Sequence, residues 1–543
     1  MQTIDYTNAD RPNYKCPANL EMQPAWTIVS DVEQGTLHIR KQTKTYLPQF
    51  PAEHDKDYTD RLNTATFFNA YTRARNGLVG MVCKKSIVFS EDVPRYLRGD
   101  TKEKITGHIE NIDLAGTHLD VFAKEVLSDA FDGHSFILVD MQKAPEKGKY
   151  GGKLTLEDTK NLRPYWVKYK ASAATNFLPI TINGEVEIGQ ITFEERVGVK
   201  AGRYGQKQVC QYRTFELVER EGSAPGAGDY IVKWEITRQS EEPGKEGEFV
   251  VVDKGTMPNF SRIPVAVVYG RTKGFLKSQP VLLDLALINI KYYQKRSDYD
   301  SALHKAGFPI PCFIGVPEDW EMIIVGSGFG LRLPPNAEAK YMEPEGKSLE
   351  VARTDLQDLR EEMAALGLSV LASRPQAKQT ATEAVIDFTQ ESSELETIAR
   401  SCADAIERCM GFHAQHLGDK DGGSIEFGTH LKRLTLTPEQ VLAYSKMVAE
   451  MQLTLDTLWA ILKAGDALPV DFNPELEKQK LFGDAADEAA IVQNALLDPA
   501  RQPNSPEEEQ PPTTTKEKKP KKAATKKKSE KKPTTAPDEG VEE

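Results

Sequence analysis

Between Ser348 and Leu366 the apolar residues Leu349, Ala352, Leu356, Leu359, Met363 and Leu366 are spaced 3, 4, 3, 4 and 3 apart. That alternation keeps one stripe on one side of an α-helix, and the stripe leaves water only when a second helix lies along it. The seam therefore demands a helical partner, and the chain supplies two long ones. Residues 276–305 read as one helix with Val281, Leu282, Leu285, Ile288, Tyr292 and Tyr299 on a shared face. Residues from about 380 to 417 carry a second stripe, Ala384, Val385, Phe388, Leu395, Ile398, Ala399, Cys402, Ile406, Cys409 and Met410, with Gly418 placed to end it. A helix of that length is far longer than the mean of about 12 residues, and Gln390-Glu-Ser-Ser393 is a place where it can kink. Gly367 stands where the heptad helix can stop.

Elsewhere the period changes. Residues 1–56 are polar and mixed, with short apolar pieces. A helical pattern runs over 57–85 and another over 114–131, closed by Asp132-Gly133; Ser135-Phe-Ile-Leu-Val-Asp140 follows as a buried strand. Residues 163–270 are rich in β-branched and aromatic residues, which favours strands at 165–169, 186–195, 208–217, 230–237, 249–253 and 265–269. Proline-rich, β-favouring sequence occupies 308–344, and a strand at 424–431 and helices at 438–464 and 473–497 complete the folded part. The fold class is α+β. From 499 to 543 the chain loses its apolar residues and carries ten lysines between Lys516 and Lys532, the composition of a disordered tail. Such a tail solubilises, touches DNA or binds a scaffold or coat protein, and its composition does not choose.

The chain has 543 residues and a formal net charge of -12. Residues 501–543 contribute eleven basic and nine acidic side chains, so residues 1–500 carry about -14. A protein that grips DNA by its backbone usually presents basic surface, so any contact with DNA here is expected to be light or confined to a few points. Six scattered cysteines without a CxxC pair read as reduced thiols made in a cytoplasm. Residues 1–11 show no basic stretch leading into an apolar one, and no run approaches the roughly 18 apolar residues of a membrane span. Neither export through a signal peptide nor a membrane-spanning segment is expected.

The order of elements, together with local phrases, resembles the portal (head-to-tail connector) family of tailed bacteriophages over roughly residues 20–500. Asn259-Phe-Ser-Arg-Ile-Pro-Val-Ala-Val-Val268 is similar to the strand leading into that family's first stem helix. Trp26-Thr-Ile-Val-Ser-Asp31, Tyr46-Leu-Pro48 and Arg163-Pro-Tyr-Trp166 are similar to phrases of one portal subgroup. The resemblance implies a wing at 1–275, a first stem helix at 276–305, a clip at 306–346, a second stem helix at 347–367 and a tunnel loop at 368–380. It further implies a long wing helix with a strand at 381–431 and a crown at 432–498.

By that resemblance about twelve copies form a ring at one capsid vertex, a conduit for packaging and ejecting double-stranded DNA without regard to sequence. The ring docks terminase, adaptor and tail proteins, meets coat protein and in some cases scaffold, and belongs to the virion. The clip residues Glu318, Asp319, Trp320 and Glu321 would face terminase. Arg374, Gln376, Lys378 and Gln379 would project from the tunnel loop and make brief phosphate contacts; read without the resemblance, they are a solvated helix connection. Asp355, Asp358, Glu361 and Glu362, opposite the heptad seam, would form an acidic channel wall that repels phosphate; read alone, they are a solvated helix face. The alternatives are another particle protein, such as an adaptor or minor capsid protein, and more remotely a nucleic-acid-processing enzyme.

An enzyme would need chemistry that the sequence does not spell. Gly148-Lys-Tyr-Gly-Gly-Lys-Leu154 misses the phosphate-binding loop in spacing and lacks its hydroxyl. Gly326-Ser-Gly-Phe-Gly330 fits no dinucleotide fingerprint and reads as a tight turn. Gly133-His-Ser135 comes nearest a nucleophile elbow, but Ile137 stands where glycine is needed, so Ser135 reads as an ordinary strand residue. Cys409, His413 and His416 can share a helix face, yet Cys409 belongs to the apolar stripe and no fourth zinc ligand accompanies them. No catalytic residue, metal or cofactor is expected.

Overall fold

The computed structural model describes residues 9–482 apart from 101–102, 104, 144–161, 223–228, 241–243, 246, 308–309, 316–335, 343–346, 368–380, 428–437, 451, 465–467 and 469–471. The chain divides into two compact units, Met1–Leu434 and Thr435–Glu543.

The first unit opens with four helices, α1 (Pro17–Glu33), α2 (Thr36–Lys41), α3 (Asp55–Thr64) and α4 (Ala70–Val82). After β1 (Val88–Phe89) and α5 (Arg95–Arg98) come α6 (Leu119–Phe131) and β2 (His134–Met141). The β-rich region holds β3 (Pro164–Lys170), β4 (Ala174–Ile182), β5 (Glu185–Ala201), β6 (Gly205–Glu219), β7 (Tyr230–Gln239), β8 (Phe249–Met257) and β9 (Val265–Tyr269). A small hairpin, β10 (Arg271–Gly274) with β11 (Lys277–Gln279), leads to α7 (Leu283–Ala306). Then follow β12 (Ile310–Ile314), β13 (Glu338–Met342), α8 (Lys347–Gly367), α9 (Ala381–Leu417) and β14 (Ile425–Glu426), which pairs with β1.

Two antiparallel sheets face each other. The smaller has the order β3-β2-β9 and the larger β4-β5-β6-β7-β8. Strand β2 is central and apolar on both faces, as a strand covered from two sides must be. Its Ile137 and Val139 join a core with α4, α6, α7, α8 and α9, while Phe136 and Leu138 join a second core with Phe193 and Phe215 of the larger sheet. Arg213 on β6 ties the sheets together, reaching Asp140 on β2 at 2.6 Å and Glu195 on β5 at 3.1 Å. On the helical side the buried Arg75 spans Glu33 at 2.7 Å and Asp132 at 2.9 Å. Such buried pairs add little net stability, but losing one partner strands a charge.

The second unit has α10 (Pro438–Ala449), α11 (Leu455–Ala464) and α12 (Pro474–Phe482). Trp459 packs edge-on against Phe472 at 5.6 Å, and Lys478 pairs with Asp456 at 2.7 Å. No helix among the described residues is long and apolar enough to cross a membrane.

The α+β class holds, and several boundaries need correction. The helix expected at 276–305 begins only at Leu283, because 277–279 pair as β11 and Pro280 has no amide to donate. The pattern over 57–85 is two helices: Ala65 leaves helical geometry and Asn69 caps the second through the Thr72 amide. The helix expected from 114 starts at Leu119, capped by His118. Helices α1 and α2 occupy a stretch read as merely mixed, and β4 was not anticipated. Strands β5, β6 and β8 run longer than expected. The helix over 438–464 is broken between α10 and α11, and Asn473 caps α12 through the Glu475 amide. The strand placed at 424–431 is described only at Ile425–Glu426. Helix α9 runs without interruption through 390–393.

Candidate functional site

The heptad seam finds its partner in α7. Leu356, Leu359 and Met363 are buried on α8, facing a core that contains Leu285, Tyr292 and Tyr293 of α7. Lys295 Nζ meets Asp355 at 2.6 Å, and Arg360 Nε donates to the Tyr292 hydroxyl at 2.9 Å. The contacts descend α7 as they ascend α8, so the helices are antiparallel. Gly367 ends α8 where only a bare backbone fits: a Cβ there would lie 2.5 Å from Leu285 Cδ2 and 2.9 Å from Ala74 Cβ.

Helix α7 is in turn fixed to the N-terminal helices by polar side chains. Asn289 is fully buried; its Nδ2 donates to Phe68 O at 2.7 Å, and its Oδ1 accepts from the amides of Ala70 and Tyr71 at 3.0 and 3.2 Å. It thereby satisfies amides that the first turn of α4 leaves free. Arg61, buried against the rings of Phe50 and Tyr58, holds Glu53 at 2.7 Å and reaches Asp298 of α7 at 3.3 Å. The inner side of the α7–α8 pair is thus packed against the N-terminal helices, which sets which side faces outward.

The four expected acidic positions separate on this frame. Asp355 lies on the flank of α8 and is engaged by Lys295, so the expectation that it lies opposite the seam is corrected. Asp358, Glu361 and Glu362 are exposed and pair with no described cation. They leave a patch of three negative charges over about one helical turn, suited to repelling an anion and unsuited to gripping one. Ion pairs at such exposure contribute little to stability.

The other expected positions lie elsewhere. Glu318, Asp319, Trp320, Glu321, Arg374, Gln376, Lys378 and Gln379 fall outside the described residues, as do the glycine-rich segments 148–154 and 326–330 and the lysine-rich tail. Ser135 is buried in β2 and its hydroxyl donates to Tyr169 O, an ordinary strand residue.

Cys409, His413 and His416 do not converge. Cys409 is fully buried in the apolar core, and burial pushes its thiol well above the usual range. Trp166 Nε1 can only donate, so His413 Nδ1 accepts from it at 3.3 Å; the proton of neutral His413 then sits on Nε2 and is donated to His108 Nδ1 at 2.9 Å. Burial, then His108, Arg163 and His416, bring His413 down to about 3. His416 turns the other way, toward Val139 O at 3.3 Å and the ring of Phe260 at 4.5 Å. No group of three metal-ligating side chains occurs among the described residues. The His108–His413 pair and Asn289 were not anticipated. The available signal for Asn289 was a polar residue on the apolar stripe of a helix; the distant pair at 108 and 413 left none.

Residues 281–417 match the model of a family described as a domain of unknown function (DUF4055). That stretch runs from just before α7 to the end of α9. Comparison with curated proteins returns no match. Among solved structures, one described as "Neck of empty GTA particle computed with C6 symmetry" is similar with a TM-score of 0.36 and 10% identity, over 71% of this chain and 86% of that one.

Proposed function

We propose that the chain is a portal subunit of a tailed bacteriophage. About twelve copies would form a ring at one capsid vertex, through which double-stranded DNA is packaged and ejected, and which docks terminase and head-to-tail adaptor proteins. The observation that carries this reading is the antiparallel pair α7–α8. It is joined through the paired strands β12 and β13, fixed to the N-terminal helices α3 and α4, preceded in the chain by the β-rich region and followed by a 37-residue helix. That order agrees with the stem, clip and long wing helix that the portal resemblance implies.

In this role the protein does no chemistry. The stem pair sets the bore, and its exposed Asp358, Glu361 and Glu362 keep the wall repulsive to phosphate so that the duplex slides. The tunnel-loop cations Arg374 and Lys378 supply brief, salt-sensitive contacts. Assembly is cyclic, each copy meeting its neighbours through two different surfaces, and the product resides in the virion.

The test is negative-stain electron microscopy of the purified chain with its mass measured in the same preparation. A hollow ring with a mass near twelve subunits is expected. A compact dimer or tetramer without a central hole overturns the reading.

A further inference from the structure

Helix α9 and the two sheets border an open groove of about 490 Å³, a volume in the range of ligand sites. One wall is the side of α9 from Thr397 to Phe412. The other is formed by the start of β5 at 186–188, by strand β9 and by the turn at 275–276. The floor is apolar: Ile263, Val265, Leu276 and Ala405 are buried, and Tyr269, Phe275 and Phe412 are partly so. The portal reading gives this groove no role.

Its first distinguishing feature is charge. Arg400 and Arg408 line it from α9, both are exposed, and neither has an ion pair among the described residues. Asp404 stands four residues from each, the spacing at which helical ion pairs form, yet it joins neither. The ion pairs nearby are others: Arg262 with Glu185 at 2.9 Å and Glu187 at 3.2 Å, and Arg271 with Glu394 at 2.8 Å. Burial raises the Tyr269 hydroxyl, and the Leu276 amide and then the charge of Arg408 oppose that rise, so the Arg408 guanidinium lies within electrostatic reach of the floor. Two uncommitted guanidinium groups stand out on residues 1–500, which carry about -14.

The second feature is backbone. Strand β9 is the edge of the smaller sheet. The Val139 amide donates to Pro264 O and the Gly270 amide to Gly133 O, so the even-numbered residues here bond to β2 and the odd-numbered ones point away from it. The outward amide of Tyr269 donates to Ser401 Oγ at 3.0 Å. The outward N–H and C=O of Val267, a partly buried residue that lines the groove, meet no described partner. Backbone groups removed from water without a partner cost free energy until something bonds to them.

Charge and backbone together specify a guest. A small anion would satisfy the arginines and leave the backbone open, whereas an extended peptide satisfies both. Arg400 and Arg408 are separated along the helix by about 12 Å, at about 1.5 Å per residue. In an extended strand, side chains four residues apart share a face and lie about 13 Å apart. Asp404 stands between the two arginines and repels a third carboxylate, so the middle of the guest must be uncharged, and the apolar floor favours an aliphatic side chain there.

We propose that this groove binds an extended acidic segment of a partner protein, with two acidic residues four apart and an aliphatic residue midway between them. The carboxylates sit on Arg400 and Arg408, the aliphatic side chain on the floor, and the backbone on the open edge at Val267. Guanidinium–carboxylate bonds are among the stronger hydrogen bonds, main-chain pairing adds affinity, and the alternate side chains give the choice of partner. The site stands independently of the ring reading.

The test is fluorescence anisotropy of the full chain with a labelled synthetic peptide, Ser-Glu-Thr-Val-Thr-Glu-Ser. Binding is expected at low salt and should weaken as salt rises. A chain carrying Arg400→Ala with Arg408→Ala should bind about tenfold or more weakly, and so should a peptide with Gln in place of both Glu residues. Both arginines are exposed, so the variant should melt like wild type; Arg400→Gln with Arg408→Gln is the conservative pair should alanine disturb α9. Peptides N-methylated at Val or at the preceding Thr each block one edge of the strand, and one of the two should lose a similar factor. Failure of the glutamate peptide to bind overturns the proposal, as does equal binding by the arginine variants or by the glutamine peptide. Inorganic phosphate that competes as well as unlabelled peptide would reveal a small-anion site, and full affinity in both N-methylated peptides would remove the strand pairing; either result overturns the proposal. Binding seen only once the chain's own oligomer is dissociated would make a second copy the occupant, and overturns the choice of a partner protein. The ring itself is tested separately by the micrographs above.

Discussion

At the scale of single residues, the core of the first unit is held in register by polar groups that carry no sequence motif. Asn289, Arg61, Arg75 and Arg213 each bridge elements far apart in the chain, and a linear reading sees only a polar residue in an apolar stripe. The buried histidines make the sharpest prediction. His134 and His413 are both held near 3, chiefly by burial, against an ordinary value of about 6.5 in an unfolded chain. The native state therefore refuses a proton that the unfolded state accepts. The stability that each contributes is complete above pH 6.5 and is lost as pH falls from there toward 3. Denaturant unfolding of the full chain between pH 7 and 4 should show stability falling with acid. Replacing His413 by Gln should reduce that slope by up to about 1.4 kcal/mol per pH unit. An unchanged slope would mean that His413 titrates normally in the folded protein.

At the scale of elements, what the sequence made legible depended on where the relevant neighbours lie. The heptad of α8 and the stripe of α9 are periodic over many turns, and both helices appear within a residue or two of the expected bounds. Strand β9 matches its expected range, since an apolar β-branched run bounded by proline and glycine has few other uses. Helix α1 was hidden by Pro24 inside it and by a buried face of only a few large side chains, Met22, Trp26, Val29 and Val32. Strand β11 was masked by the apolar residues after it, which extend the α7 pattern backward until Pro280 stops it. The junction of α4, α7 and α8 at Gly367 offers a direct check. Alanine is the better helix former by about 1 kcal/mol, yet its Cβ would press on Leu285, which can rotate, and on Ala74, which cannot. Overpacking of this kind costs about 1–3 kcal/mol, so Gly367→Ala should lower stability in urea titration. A gain in stability would mean that α8 can tilt away from α4 at no cost.

At the scale of the whole molecule, charge and shape must be read together. The residues expected to touch DNA most directly, Arg374 and Lys378, lie outside the described residues, and the acidic positions were legible only as a helix face. What the structure adds is which carboxylates have no ion pair among the described residues: Asp358, Glu361 and Glu362, beside an Asp355 already engaged by Lys295. If α7 and α8 line the bore of a ring, those three decide whether a duplex slides or sticks. Asp358→Lys with Glu361→Lys leaves the buried seam of Leu356, Leu359 and Met363 untouched, so folding and assembly should persist. The surface would change from repelling phosphate to binding it, and each new phosphate contact adds about 0.9 to the slope of log affinity against log salt. Filter binding of linear duplex DNA at about 50 mM salt should then show retention by the variant ring and little by wild type, with the difference largely gone by about 200 mM. Equal retention by both would place this face away from the path of the DNA, and the acidic patch would then be no more than a solvated side of α8.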